Sequence, residues 1–332
     1  MSSTALRYIT KQTRRSLKHA LTKPLITTPN TNRPHPILRY RNTSTLTMAI
    51  SQPSHPSGPV TASLNFFQPP SDNSAPFNHV DTPPAGLPQR NFGDISHPVS
   101  LTDIRGSGNR YDLDNDAFAA ILSVPPSSET SFTSDDSILT NYYPEVEQLL
   151  LNHIPGSHKV VLFDYTIRRA DPNASRAPVQ RVHIDQTAES AEKRVRRHLP
   201  PDEAEKLLKG RYRIVNVWRP LNKNPVESFP LAFASSATLE DADVVPVEHR
   251  YRSGYTGQTA AIKHNPEQKW HYLSGMTGNE RLLLECFDSE AAKEGSGVKG
   301  GRVAHTAFED PRTRAGAEGR ESIEVRALVF GP

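Results

Sequence analysis

Apolar and polar positions along this chain follow a strand period more often than a helical one. Residues 159–168 (Lys159-Val160-Val161-Leu162-Phe163-Asp164-Tyr165-Thr166-Ile167-Arg168) are β-branched and aromatic and predict the clearest strand. Residues 211–220 alternate with a period of two and predict another. Beyond 220, short apolar runs at 229–233, 243–247, 269–274, 281–287, 301–308 and 322–330 are broken by Pro, Gly and Asn. Two regions have helical character. One is 114–153, with Asp135 and Ser137 as candidate caps and Pro144 in a first turn; the other is 188–209, divided at Pro200-Pro201 and stopped by Gly210.

Upstream, residues 63–67 predict a short apolar strand. A proline-rich traverse through Pro69, Pro70, Pro83, Pro84 and Pro88 suits wrapping over a surface. Residues 99–104 alternate like an edge strand, and 105–109 have hairpin-turn chemistry with 111–113 as the return strand. Gly106 and Gly108 lack the Lys-Ser/Thr and the following helix of a phosphate loop. Short strands without βαβ alternation favour a sandwich or barrel over a parallel sheet. The expected fold is mostly β with flanking helices, a double-stranded β-helix (jelly roll), whose Greek keys bring distant strands to one mouth. It would form a single domain over 61–332, with 61–158 as a wrapping and helical region.

Composition narrows the partners. With 35% hydrophobic residues and 29 prolines among 332 residues, part of the chain is expected to lie outside any core. Residues 1–71 hold nine Lys and Arg and no acid, which leaves 30 basic against 36 acidic residues for the remainder, a net of −6. That balance argues against a nucleic-acid surface. Residues 1–60 are expected to be a disordered or targeting segment. Within them, 5–22 has the basic amphipathic pattern of a mitochondrial transit peptide, with a disordered tail or a start at Met48 as the alternatives. The location expected is cytoplasmic or mitochondrial. A single cysteine, Cys286, excludes an intramolecular disulfide, and its apolar run 282–287 predicts core packing. No apolar run has the length of a membrane span. Neither membrane nor nucleic acid is expected as a partner, a small-molecule substrate is, and oligomeric state is not legible.

The chemistry concentrates in Arg181-Val182-His183-Ile184-Asp185-Gln186-Thr187. In an extended segment, residues i and i+2 project from one face, so His183 and Asp185 aim an imidazole and a carboxylate at a common point. That is two-thirds of the 2-His-1-carboxylate triad that holds non-haem Fe(II). His305, 122 positions further on, is the candidate third ligand. Arg320 and Ser322, again at i and i+2, offer a guanidinium and a hydroxyl to the far carboxylate of 2-oxoglutarate. Arg326 shares their parity and is the rival. The basic cluster Lys193, Arg194, Arg196, Arg197 and His198 lies among acids and reads as a solvated face.

These blocks, taken in order, resemble the fungal hydroxylase/desaturase proteins of the AsaB type, grouped with CmcJ, NvfI and gibberellin-desaturase-like proteins. The resemblance runs from about Thr61 to the C-terminus. It rests on 63–67, 102–106, 142–147, 163–169, Val182-His183-Ile184-Asp185-Gln186-Thr187, Asn216-Val217-Trp218-Arg219-Pro220-Leu221, 287–289, His305-Thr306-Ala307-Phe308 and 320–328. It implies a jelly roll and Fe(II)/2-oxoglutarate-dependent hydroxylation or desaturation of a small secondary metabolite. By position, His183, Asp185 and His305 are the implied iron ligands, Arg320 and Ser322 the 2-oxoglutarate clamp, and Arg219 a further carboxylate or substrate contact. His271 departs from the aromatic residue more common after the tryptophan, a change that would alter substrate preference if that strand borders the pocket. Two other readings stand beside the oxygenase: a Zn²⁺ hydrolase on the same ligands, and a non-catalytic accessory or binding protein keeping the jelly roll. The basic residues Arg168, Arg169, Arg176 and Arg181 are read as scaffold ion-pair partners.

Overall fold

The computed structural model describes residues 55–171 and 173–331; the expectations for the basic N-terminal segment fall mostly outside them. Two sheets face each other. The larger has nine strands in the spatial order β1 (Val60–Gln68), β3 (Gly93–Asp103), β11 (Trp270–Tyr272), β8 (Leu231–Ala234), β13 (His305–Ala307), β6 (His183–Ile184), β10 (Thr256–Ile262), β9 (Val244–Arg250), β2 (Phe77–His79). The smaller has five, in the order β4 (Phe118–Ile121), β12 (Arg281–Asp288), β7 (Tyr212–Pro220), β14 (Glu321–Phe330), β5 (Lys159–Arg169). The architecture is the jelly roll that the strand spacing suggests.

Alternation along the five-stranded sheet divides its residues between two environments. One face carries Val215, Val217, Leu283, Ile323, Val325, Ala327 and Val329, packed with Val146, Leu149 and Leu150 of the helix Tyr143–His153. The other face carries Trp218, Leu282 and Leu284, which meet Phe118, Leu231 and Phe233, and Ile214, Leu328 and Cys286, which meet Ile184, Ala260 and Ile262. Strand β14 is interior, flanked antiparallel by β5 and β7, and a register shift falls between Arg326 and Ala327. The charged helices Ala188–His198 and Pro201–Leu207 begin right after the His183/Asp185 stretch; the Thr187 hydroxyl accepts the first helix's Ser190 N–H, and proline opens the second.

Local pattern misleads in three places. Residues 111–113 form no return strand: Asp112 accepts the Asn115 N–H and caps a short helical turn, Leu113–Asp116. The span 114–153 is helical only in part, because Phe118–Ile121 joins β12 as an edge strand and continuous helical structure begins at Asp135. Strand β10 carries no apolar signal in its first half, yet it supplies the partner on which β6 is held. Cys286 is buried, as its run predicts.

Leu283, 1% exposed between sheet and helix, gives a direct stability test. Leu283→Ala is expected to lower unfolding free energy by roughly 2–5 kcal/mol, read by urea denaturation.

Candidate metal and co-substrate site

His183 and His305 are brought side by side because β6 and β13 are antiparallel neighbours with these two residues in register. Their ring centroids lie 4.5 Å apart. Asp185 follows two residues after His183, and one ligand atom from each of the three lies within 4.8 Å of the others. Both rings are oriented by backbone: His183 Nδ1 lies 2.8 Å from the Arg181 carbonyl and His305 Nδ1 3.3 Å from the Val303 carbonyl. A carbonyl only accepts, so Nδ1 carries a proton on each ring, and in the neutral tautomer Nε2 keeps a lone pair. His183 Nε2 then faces Asp185 Oδ1 at 3.3 Å. Two lone-pair atoms at that distance suit a shared cation, so the donor set fits a metal ion bound through N, N and O.

Asp185 is braced from the opposite sheet. Its Oδ2 accepts from Arg326 Nε at 3.0 Å and from Asn216 Nδ2 at 2.9 Å. Burial opposes ionisation of Asp185, but the Arg326 guanidinium holds its carboxyl well below the usual carboxylate range. Arg326 also reaches Asp164 at 3.1 Å, Thr166 Oγ1 at 3.0 Å and Glu324 at 2.6 Å. With every nitrogen engaged, it is an internal brace and has no edge left for a ligand. Burial pushes His305 down to about 3 and keeps it neutral.

Arg320 is the contrasting case. Its side chain is 2% exposed, and its Nη1 donates to the Phe229 carbonyl at 2.7 Å. Phe229 holds a positive φ of 49°, an uncommon conformation for a bulky residue. The guanidinium lies 5.6 Å from the Trp218 ring centroid. Its Nε has no hydrogen-bond partner, and among the described residues no carboxylate lies within ion-pair distance. Burial, together with the nearby Arg168 charge, lowers its pKa to about 9. One cavity is lined by the His183/Asp185/His305 triad together with Trp218, Arg320, Ser322, Glu324, Thr166 and Arg168. Its buried, unpaired cation is suited to a carboxylate brought in by a ligand.

Arg219 is not part of this cavity. It stands opposite Ile323 in the β7–β14 register, and so leaves the sheet on the helix-covered face. There its guanidinium lies over Phe132 and Tyr142, at 4.9 and 5.4 Å, and its Nε donates to the Gly278 carbonyl. Its neighbours Trp218 and Asn216 have the right parity and do face the site. An Asn between two buried valines, Val215 and Val217, was the available signal for that role. His271 is buried among Tyr111, Phe118 and Phe233 and does not line the cavity. Of the four arginines near the motif, Arg169 pairs with Glu321 at 3.0 Å and Arg181 with Asp94 at 2.6 Å.

Two outcomes follow for the metal-free protein. Arg326→Met strands buried carboxylates and is expected to cost about 3–5 kcal/mol of stability, measured by chemical denaturation. His305 has a folded pKa of about 3, below the 6.5 expected when unfolded. The unfolded chain therefore binds the proton first. This contribution to stability is complete above 6.5 and is lost as pH falls from there towards 3. A His305→Phe variant should show a flatter stability profile over that window.

A family profile described as "Oxidoreductase/YMDC permease-like domain" matches residues 64–330. No helix among the described residues is long and apolar enough to cross a membrane. The hydroxylase/desaturase poxK of Penicillium oxalicum is 38% identical over 306 residues, covering 85% of this chain and 94% of that protein. The Fe(II)/2-oxoglutarate-dependent dioxygenase nvfI of Aspergillus novofumigatus is 31% identical over 271 residues, covering 80% of this chain and 95% of that one. The solved structure of the iron and alpha-ketoglutarate-dependent endoperoxidase NvfI superposes with a TM-score of 0.73 at 29% identity, over 82% of this chain and 98% of that one. The chain belongs to the fungal hydroxylase/desaturase family of Fe(II)/2-oxoglutarate-dependent oxygenases.

Proposed function

We propose that this protein hydroxylates or desaturates a small secondary metabolite, with His183, Asp185 and His305 as the iron ligands and Arg320 with Ser322 as the receptor for the far carboxylate of 2-oxoglutarate. The observation that carries this reading is the buried, carboxylate-free guanidinium of Arg320 in the cavity that holds the triad. A hydrolytic metal site has no use for such a receptor, so the Zn²⁺ reading loses ground. The accessory-protein reading is disfavoured because the triad is complete and its brace intact.

Fe(II) with 2-oxoglutarate supplies the oxidising chemistry, in which oxygen is consumed, the co-substrate becomes succinate and carbon dioxide, and hydrogen is removed from the substrate. The chain's own residues orient and shield. Nδ1 bonds to backbone carbonyls direct both Nε2 lone pairs to one point, and Arg326 with Asn216 turns Asp185 so that Oδ1 shares it. Arg320 and Trp218 lie together in the wall of the cavity.

The test is an anaerobic Fe(II) titration with and without 2-oxoglutarate, followed by visible absorption. A weak charge-transfer band that requires both components and is absent in Asp185→Ala is the expected result. Arg320→Gln should need about tenfold or more 2-oxoglutarate to reach the same band, the loss of a charge-assisted pair. Fe(II) binding with no band under any 2-oxoglutarate concentration would remove the co-substrate assignment.

A further inference from the structure

Arg168 lacks the surroundings of a scaffold arginine. It stands opposite Ser322 in the β5–β14 register, so its side chain leaves the sheet on the face of Ser322 and Glu324 and lines the same cavity as Arg320. Its contact is a 3.2 Å bond from Nη1 to the Ala177 carbonyl, and among the described residues no carboxylate pairs with it. Charge around the cavity is therefore unevenly paired. Three carboxylates, Asp185, Asp164 and Glu324, gather on Arg326. Arg168 and Arg320 lie close enough for each to feel the other's charge, and among the described residues neither has a carboxylate within ion-pair distance. Glu324 is the main opposite charge acting on Arg168 through space, but burial pushes its carboxyl upward, which weakens it as a counter-ion.

Each of the two guanidiniums has spent Nη1 on a backbone carbonyl, Ala177 for Arg168 and Phe229 for Arg320. The Nε/Nη2 edge of each is thereby left available, and this is the fork that matches a carboxylate. A carboxylate has about four lone-pair sites, enough for two such forks.

We propose that Arg168 and Arg320 form a two-guanidinium cradle for the far carboxylate of the co-substrate, with Arg168 reaching it from beside Ser322. This rests on the reading of the cavity as a 2-oxoglutarate site. The cradle selects a dianionic keto acid over one with the same keto-acid head and an uncharged tail.

The experiment measures anaerobic binding of 2-oxoglutarate and of 2-oxobutyrate, which lacks the far carboxylate, to the Fe(II)-loaded full chain. The proteins compared are wild type, Arg168→Gln and Arg168→Lys. The expected result is that Arg168→Gln weakens 2-oxoglutarate about tenfold or more while 2-oxobutyrate is unchanged. Arg168→Lys, which keeps the charge and loses the fork, should fall between. Unchanged 2-oxoglutarate affinity in Arg168→Gln overturns the cradle while leaving the Arg320 clamp standing. Equal weakening of both keto acids also overturns it, since that is the mark of a distorted site. A wild type with no preference between the two keto acids refutes the co-substrate reading itself, and the cradle with it.

Discussion

The buried Arg326 guanidinium ties the two sheets together at the point where chemistry is expected. It sits on an interior strand of the five-stranded sheet and reaches Asp185, carried beside a two-residue strand of the other. A strand that short has little hold on its own register, and its final ligand lies beyond its last paired residue. The charge-assisted bond from Arg326, shared with Asn216, sets the orientation of Asp185. Buried ion pairs return little net stability over apolar packing, but they leave a large penalty when broken. Here the return is geometric: one carboxylate oxygen is occupied and the other is turned to the imidazoles.

The same strand carries the opposite electrostatic condition a few residues away. Arg326 is saturated by three carboxylates, whereas Arg320 has only a backbone carbonyl and an aromatic neighbour. Alternation places Arg320, Ser322, Glu324 and Arg326 along one face, so a single strand spans from the metal-ligand brace to the candidate carboxylate receptor. A linear dicarboxylate suits that layout, since its two charged ends can meet different parts of one strand. Relatives described as Fe(II)/2-oxoglutarate-dependent share both the fold and most of the length of this chain.

Much of the fold was legible because its strands are short, apolar and evenly spaced. The runs at 159–168, 211–220, 281–287 and 322–330 all became strands of the five-stranded sheet. Two of the failures have a common cause. Phe118–Ile121 lies next to helix-compatible residues and becomes a strand only because β12 offers an edge to pair with. Thr256–Ile262 begins with polar residues and becomes a strand because β9 and β6 lie on either side. In both, a partner distant in sequence outweighed local preference.

The site divides along the same line. Spacing alone put His183 beside Asp185 and Arg320 beside Ser322, because alternation in an extended chain is a local property. Order along the chain then nominated His305. What separates Arg320 from Arg326 is not local, since both have the same parity; it is which carboxylates the other strands bring near. Arg219 shows the converse. Its block of sequence suggested a cavity role, but its register with Ile323 turned it into the helix-packed core. Sequence determined the residues that carry chemistry and their local pairing. Tertiary structure alone decided which guanidinium is spent and which is free, because ion pairing depends on charges that meet only after the sheets close.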